Sequence, residues 1–597
     1  MTTSDHDPVT DPGKMTENLA RIEELSQRLV GAMAHKRVPN PALEAPGQEL
    51  YAKAMAAYWA EAMQNPAKIL EQQIAFWGKS LKHYVEAQQV LAKGKLTAPP
   101  DPTPKDRRFQ NPLWETHPWF NFIKQQYLMN VEAMDTAIKG MDHLEPADRK
   151  RLEYFSRQIM DMMSPTNFLA TNPDALEKAV ETEGESLVKG LENLVRDIEA
   201  NRGDLLVTLA DKDAFKVGEN LGTTPGQVVF RNRMIELIQY SPTTERVHET
   251  PLLIFPPWIN KFYIMDLKPQ NSLIRWIVEQ GFTLFVVSWK NVDPSYRETG
   301  MDDYVNEGYL TAIEQVKAIT GQDKINTVGY CIAGTTLSLT LALMRKRGDK
   351  SVNSATFFTT LTDFSDQGEV GVFLDDDFVD GIEEQVKRDG YLDKYYMSRT
   401  FSYLRSNDLI YQPAIRSYML GEAPPAFDLL YWNGDGTNLP AAMAVEYLRG
   451  LCQADRFARD GFAICGEVVH LGDVKVPLCA IACETDHIAA WRSSYNGVRQ
   501  MGSKDKTFIL SESGHIAGII NPPSKDKYGH YTNEDWAGTP EEWKAGAAFH
   551  KGSWWPRWGA WLAKRSGKMV PARQPGDAKH PPIVAAPGTY VVEIPGV

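Results

Sequence analysis

Apolar residues recur at helical spacing soon after residue 65. Asn65-Pro66 suits the start of a helix, because proline is favoured in the first turn. The apolar residues that follow at steps of three and four share one helix face, and we expect packing on the rest of the domain or on a second copy to bury it. Contact with a hydrophobic product surface or a partner helix is the alternative. These residues are Leu70, Ile74, Trp77, Leu81 and Tyr84.

A mostly helical pattern continues to about residue 203. We therefore predict a helical N-terminal domain over residues 1–203, with the polar residues 1–47 flexible. Residues 97–104 read Thr-Ala-Pro-Pro-Asp-Pro-Thr-Pro, which is typical of a stiff proline-rich linker. The domain shows no pattern of catalytic groups.

From residue 204 to residue 597, short apolar runs alternate with helical stretches. Such runs are typical of buried parallel strands, and their alternation with helices predicts an α/β sheet. Residues 363–471 are instead aromatic, charged and dotted with Pro and Gly, and we predict a cap over the carboxyl edge of the sheet. The tail, residues 570–597, is rich in proline and is expected to be extended. The predicted strands are 251–255, 282–287, 325–328, 477–482 and 506–510.

Charge and cysteine content narrow the class of protein. The chain of 597 residues carries 64 Lys and Arg against 77 Asp and Glu, a net charge of −13, which opposes nucleic-acid binding. The N-terminus lacks the apolar core of a secretory signal, and no apolar run approaches the roughly 18–20 residues of a membrane span. We therefore expect a cytoplasmic protein without a membrane span. Five cysteines without a CxxC pair predict neither a disulfide framework nor a metal site.

Cys331 stands where a predicted strand passes into a helix. The apolar residues 325–328 lead into Gly329-Tyr330-Cys331-Ile332-Ala333-Gly334, and helical character follows. In a nucleophile elbow, small neighbours let the nucleophile project, and the backbone N–H of the next residue, here Ile332, faces an oxyanion. Cysteine occupies the place where serine is more usual. An inert buried cysteine is the alternative on this motif alone.

An acid and a histidine follow later strands in the order that α/β hydrolases use. Asp486 comes after the predicted strand at 477–482, and His515 comes after the one at 506–510. The long interval between Cys331 and Asp486 leaves room for the cap. The order predicts an α/β-hydrolase fold with a cap insertion and a catalytic triad. His487 competes as the base, but adjacent residues at a strand end point apart, so we assign it a supporting role.

A second oxyanion donor should come from the loop after an early strand. The loop Phe255-Pro256-Pro257-Trp258-Ile259-Asn260 follows the predicted strand at 251–255. Its prolines have no N–H, so the candidates are the backbone amides of Trp258 and Ile259. A rigid turn without a catalytic role is the alternative.

With these residues in hand, the sequence resembles the class I polyhydroxyalkanoate synthases over nearly all of the chain after about Lys105. One departure is Ala333-Gly334, where the family usually has two glycines; alanine is tolerated there if its φ is negative. The motifs that carry the resemblance are Arg108-Phe109 to Tyr127, Ser164-Pro165-Thr166-Asn167-Phe168, Val217-Gly218 to Asn232, Pro256-Pro257-Trp258-Ile259-Asn260-Lys261, Gly329 to Gly334, Phe427-Asp428-Leu429-Leu430-Tyr431-Trp432-Asn433, Asp486-His487-Ile488 and Ser513-Gly514-His515 through Pro523.

The resemblance implies a function. Cys331 looks like the acyl-carrying nucleophile, His515 the general base and Asp486 the third triad member. The expected substrate is an (R)-3-hydroxyacyl-CoA such as 3-hydroxybutyryl-CoA, and no cofactor is expected because CoA is part of the substrate. The expected product is a growing polyester chain. The resemblance also implies a homodimer at the surface of cytoplasmic polymer granules.

Two other functions stay open from the sequence. A cysteine-dependent thioesterase or lactone hydrolase on the same fold would release free hydroxy acid together with CoA. A non-catalytic granule-coating protein would keep the fold, and a broken triad order would favour it; here the order is intact.

Overall fold

The computed structural model describes residues 12–34, 48–92, 106–141, 144–201, 203–536 and 538–594. The chain divides into two compact units. The first contains Met1–Asp211 and Arg405–Pro425, and the second contains Lys212–Leu404 and Ala426–Val597. The linker prediction for 97–104 lies outside the described residues, as do 1–11 and 35–47 of the segment predicted to be flexible.

The first unit is helical. Residues 407–419, from the segment in which the cap is predicted, are also helical and belong to this unit. Before residue 201, the described α-helices are α1 Pro12–Met33, α2 Gln48–Gln64, α3 Pro66–Ala92, α4 Leu113–Thr116, α5 Pro118–Lys139, α6 Pro146–Met162, α7 Pro173–Glu181 and α8 Glu185–Ala200.

Helix α8 holds the two pieces of this unit together. The hydroxyl of Tyr418 donates to Asp197 in α8 at 2.8 Å, and the amide of Asn193 donates to the carbonyl of Ser417 at 3.0 Å. Helix α1 packs on the same helix, with Leu25 buried against Val188 and Val195. Part of the segment predicted to be flexible is therefore an ordered helix, because its leucines cover the apolar face of α8.

One face of α3 is exposed. Leu70 is 57%, Ile74 62% and Trp77 68% exposed, and Leu81 and Tyr84 are exposed as well. The helix exists as the spacing predicts, but the expected burial on the rest of the domain is wrong. Helix α3 does pack on α5, where His83 stacks on Phe122 with ring centroids 5.3 Å apart. The spacing therefore identified a helix without identifying the face that packs.

The second unit is built on one sheet. Among the described residues, eleven strands lie in the order β15-β14-β13-β12-β7-β6-β4-β5-β2-β1-β17. The strands are β1 Gly226–Arg231, β2 Ile235–Tyr240, β3 Arg246–His248, β4 Leu252–Phe255, β5 Leu284–Trp289, β6 Ile325–Tyr330, β7 Val352–Phe358, β8 Tyr391–Leu392, β9 Leu439–Pro440, β10 Phe462–Ile464, β11 Glu467–Val469, β12 Leu478–Cys483, β13 Lys506–Ser511, β14 His530–Thr532, β15 Ala548–His550, β16 Met569–Pro571 and β17 Val584–Ala585.

The centre of the sheet is parallel and its flanks are antiparallel. Strands β13, β12, β7, β6, β4 and β5 pair in parallel, in registers such as Tyr330 opposite Phe358 and Cys483 opposite Ser511. The five predicted strands are all present and form part of this centre. The run of β7 was not predicted, although it separates β6 from β12. The α/β prediction is confirmed.

Helices cover this sheet and form the segments around its carboxyl edge. A helical segment also runs through Met301–Asp303 and Tyr304–Leu310 into α10, and Glu446–Gln453 continues α15. The longer helices are α9 Leu273–Glu279, α10 Thr311–Thr320, α11 Ile332–Lys346, α12 Asp376–Asp389, α13 Lys394–Leu404, α14 Asp428–Asn433, α15 Ala441–Val445, α16 Trp491–Gln500, α17 Pro540–Ala545 and α18 Trp555–Ala563.

The C-terminal tail extends the sheet. Strand β17 pairs with β1, and the buried carboxylate of Glu236 accepts the backbone amides of Thr589 and Tyr590 at 2.9 and 3.0 Å. Arg231 compensates the charge of this carboxylate. The tail is thus tied to the first two strands.

Candidate active site

Cys331 occupies a sharp turn between β6 and α11. Its φ is 55° and its ψ is −126°, a conformation that is strained for any residue other than glycine. Its amide donates to the carbonyl of Phe358 in β7 at 2.8 Å, which anchors the turn to the neighbouring strand. A Cβ at Gly329 would come 2.5 Å from the Cα of Gly334, so glycine is required for this close approach.

Ala333 fits this turn. It lies inside α11, in the first turn, and its carbonyl accepts the buried hydroxyl of Tyr309 at 2.9 Å. A helical residue has a negative φ, so the methyl group that replaces the usual glycine causes no backbone strain.

Asp486 and His515 form a buried pair at the same edge. Asp486 Oδ2 lies 2.7 Å from His515 Nδ1, and the Asp486 side chain is 0% exposed. Asp486 Oδ1 accepts the backbone amides of Ile488 and Ala489, each at 2.8 Å. Both carboxylate oxygens are therefore engaged, and the imidazole has a fixed orientation.

The thiol of Cys331 reaches the other side of the same imidazole. Burial lowers the pKa of His515, but the Asp486 carboxylate and a hydrogen-bonding contact with Cys331 outweigh it and raise this pKa well above its ordinary value. Because Nδ1 is bonded to Asp486, Nε2 is the nitrogen left for the thiol. The structure thus brings Cys331, His515 and Asp486 together in the order thiol, imidazole, carboxylate.

The predicted oxyanion donors lie on two segments that contact each other. Ile332 is the first residue of α11, where backbone N–H groups have no partner within the helix. The indole of Trp258 donates to Thr336 Oγ1, one turn further along α11, at 3.2 Å. The amide of Asn260 donates to Pro257 O at 3.3 Å. Trp258 and Ile259 remain the predicted donors of this loop.

Tyr447 packs on the loop of the predicted second oxyanion donor, a contact that the sequence reasoning missed. Its ring packs edge-on against Trp258, with centroids 5.5 Å apart. Burial raises the pKa of Tyr447 well above its ordinary value, and the nearby Cys452 and Cys331 act in the same direction. Tyr447 lies within the predicted cap, more than a hundred residues from Cys331, so no local spacing could have revealed the contact.

The remaining predictions concern His487, metals and membranes. His487 is half-buried beside Asp486, and its supporting role stays a prediction. In the part of the chain that the structure describes, no group of three or more His, Cys, Asp and Glu could hold a metal ion. None of the described helices is long and apolar enough to cross a membrane.

Two family models match the chain. Residues 105–277 match the N-terminus of poly-beta-hydroxybutyrate polymerase, and residues 250–522 match the alpha/beta hydrolase fold. The second match covers β4, β6, β12 and β13 and the three residues of the predicted triad. The predicted fold class is therefore confirmed.

Curated relatives match most of the chain. It is 42% identical over 532 residues to a poly(3-hydroxyalkanoate) polymerase of Methylorubrum extorquens, covering 89% of this chain and 87% of that one. It is 37% identical to the poly(3-hydroxyalkanoate) polymerase subunit PhaC of Rhizobium meliloti, covering 98% and 95%. The corresponding subunit of Cupriavidus necator is 41% identical, with 86% and 87% covered.

Solved structures give a weaker likeness. A monoacylglycerol lipase of Paleococcus ferrophilus has a TM-score of 0.31 at 12% identity, covering 56% of this chain and 99% of the lipase. A monoglyceride lipase variant of Saccharomyces cerevisiae has a TM-score of 0.37 at 11% identity, covering 59% and 99%.

Proposed function

Because this chain belongs to the poly(3-hydroxyalkanoate) polymerase family, and is an enzyme of the acyltransferase class, we propose that it polymerises the acyl groups of (R)-3-hydroxyacyl-CoA through an acyl-cysteine at Cys331. The proposed substrate is 3-hydroxybutyryl-CoA, and CoA is released. The observation that carries the proposal is the strained elbow of Cys331 beside the His515–Asp486 pair.

The first half of the reaction forms the acyl-enzyme. His515 Nε2 takes the proton of the Cys331 thiol, and Sγ forms a bond to the thioester carbonyl carbon. The backbone amides of Ile332 and of Trp258 or Ile259 bind the oxyanion. The bond from that carbon to the CoA sulfur then breaks, and the CoA thiolate takes the proton from His515. Exchange of one thioester for another is nearly isoenergetic, so the acyl group stays activated.

The second half transfers the acyl group to a hydroxyl. The 3-hydroxyl of another acyl unit, or of the growing chain, attacks the acyl-cysteine carbonyl as His515 takes its proton. An ester C–O bond forms, the bond to Cys331 Sγ breaks, and the thiol regains the proton. We assign this base role to His515 rather than Asp486 because both oxygens of the Asp486 side chain already accept hydrogen bonds.

Transfer to a hydroxyl requires that water be kept from the acyl-cysteine. Tyr447, in the segment predicted as the cap, supports a role for the cap in this, since its ring packs on Trp258 in the loop that carries the predicted second oxyanion donor. A cap that excludes water from the thioester would disfavour hydrolysis, which would end the chain. No further cofactor enters this mechanism, because CoA arrives with the substrate.

The exposed apolar face of α3 supports residence at the polymer surface. Ile74 and Trp77 present large side chains to solvent, and contiguous exposed apolar surface marks an interaction site. A water-insoluble polyester offers an apolar surface on which this face of α3 could pack. The proposed location is therefore the surface of cytoplasmic granules, and the proposed assembly is a homodimer.

The test follows two products at once. Purified protein is mixed with (R)-3-hydroxybutyryl-CoA, and CoA release is measured together with the form of the acyl product, beside Cys331→Ala. We expect CoA and insoluble polyester from the wild type and neither from the variant. Free 3-hydroxybutyrate in place of polyester would identify a hydrolase, and no CoA release from short or longer acyl chains would refute catalysis on this substrate class.

A further inference from the structure

A short segment of the predicted cap, Asp435 to Asn438, forms hydrogen bonds with the loop that carries the predicted second oxyanion donor. Thr437 Oγ1 donates to the carbonyl of Trp258 at 2.9 Å, and the amide of Thr437 donates to the carbonyl of Ile259 at 3.1 Å. Two consecutive carbonyls of the loop thus bind one residue. Thr437 is buried, so water does not compete for these bonds.

The same segment is fixed on both sides of Thr437. Asp435 forms an ion pair with Lys261 Nζ at 2.7 Å and accepts the hydroxyl of Tyr263 at 2.8 Å. Lys261 and Tyr263 are themselves buried and follow the loop directly. On the other side, the backbone amide of Asn438 donates a hydrogen bond to Asn291 Oδ1 at 3.0 Å. Thr437 is therefore held in place relative to β4 and β5.

The bond from Thr437 to the Trp258 carbonyl also sets the direction of the Ile259 backbone N–H. In a trans peptide the C=O and the following N–H point in opposite directions. The Trp258 carbonyl points at Thr437, so the N–H of Ile259 points away from it. Without the Thr437 hydroxyl, the buried Trp258 carbonyl would lose this partner, and the Trp258–Ile259 peptide would lose the bond that fixes its direction.

We infer that Thr437 is a positioning residue for acyl transfer, which orients the Trp258–Ile259 peptide so that the Ile259 amide serves as the oxyanion donor. The inference rests on the proposed function and chooses Ile259 from the two candidate donors. Trp258 supports the arrangement, since its indole ties the same loop to Thr336 on the helix that begins after Cys331.

Two variants separate the hydroxyl from the shape of the side chain. Thr437→Val keeps the volume and removes the hydroxyl, whereas Thr437→Ser keeps the hydroxyl. The measurement is kcat and KM for CoA release in the first turnovers, with the unfolding midpoint of each protein. Loss of an interaction made only in the transition state lowers kcat and kcat/KM equally. We expect about a tenfold fall in kcat for Thr437→Val at unchanged KM, less than the loss of a whole donor, and near wild-type rates for Thr437→Ser.

Three results would contradict the positioning role of Thr437. Equal kcat in the wild type and Thr437→Val, equal losses in the valine and serine variants, or a change in KM alone would overturn the positioning role. If Thr437→Val does not fold, Asp435→Asn replaces it; a lower kcat at unchanged KM is expected, and an unchanged kcat would contradict the inference. An absence of CoA release from the wild type would instead refute the proposed function itself.

Discussion

The carboxyl edge of the sheet and the apolar face of α3 both contain large apolar side chains, but these are buried at the sheet and exposed on α3. Around Cys331, apolar strands are buried and both carboxylate oxygens of Asp486 have hydrogen-bond partners. On α3, Leu70, Ile74 and Trp77 are each more than half exposed. Burying such a side chain stabilises a protein by about 1.5–3 kcal/mol, which this face does not gain within its own chain. The first region is the proposed catalytic site, and the second is the proposed contact surface.

The largest effect is expected at the nucleophile. Cys331→Ala removes the atom that carries the acyl group, so CoA release should fall by about a hundred-thousandfold or more, while the unfolding midpoint changes little. The measurement is CoA release from (R)-3-hydroxybutyryl-CoA beside thermal unfolding. Cys465→Ser is the matched control, since Cys465 also has a positive φ but lies outside the site. Residual turnover of the alanine variant within tenfold of wild type would contradict the nucleophile assignment.

A slightly smaller loss is expected for Asp486→Asn. The amide keeps the volume but no longer stabilises a positively charged His515, whose pKa the carboxylate raises. By analogy with other triads we expect CoA release to fall by about ten-thousandfold, with both half-reactions affected because His515 acts in both. Rapid acylation of Cys331 with selective loss of elongation would instead assign the hydroxyl activation to Asp486. Rapid-quench measurement of CoA release and of chain growth separates the two.

Substitutions on the exposed face of α3 should weaken binding to polyester without changing CoA release. Replacing Ile74 and Trp77 by glutamine leaves CoA release from soluble substrate and the unfolding midpoint unchanged, because both side chains are exposed. Binding to polyester particles should weaken by about tenfold as apolar contact area is lost. Sedimentation with the particles measures it, and Gln73→Ala, an exposed polar position on α3, is the control. Unchanged binding would remove α3 from the product surface, and a lower unfolding midpoint would indicate that another chain covers this face.

The smallest effect is expected on the pH dependence of stability, from His530 in β14. Burial, and after it the Arg557 guanidinium and His550, lower the pKa of His530 to about 4. A lowered pKa means that the unfolded chain binds the proton first, so this group costs stability as the pH falls from about 6.5 towards 4. His530→Gln should reduce the fall in unfolding midpoint over that range by about 2–4 °C relative to wild type. An identical pH profile, or an equal change in the exposed control His470→Gln, would contradict this.

The sequence predicted the relative placement of the three proposed triad residues better than it predicted their surroundings. The order of Cys331, Asp486 and His515 along the chain places them at one edge because each follows a parallel strand. The run of β7 was missed even though its last residue, Phe358, anchors the elbow. Tyr447 and Thr437 contact the predicted oxyanion loop from the segment predicted as the cap, and such long-range contacts leave no periodic signal. The exposure of α3 was missed for a different reason, since helical spacing reports a shared face and not what covers it.

The most direct test of the account is to locate the acyl group. The wild-type enzyme is mixed with butyryl-CoA, which has no 3-hydroxyl and therefore cannot extend a chain, and is quenched in acid for intact and peptide mass measurement. We predict a single butyryl group on the peptide that contains Cys331, formed as fast as CoA is released, and none in Cys331→Ala. An acyl group on another cysteine, or CoA released without any acyl-enzyme, would contradict the account.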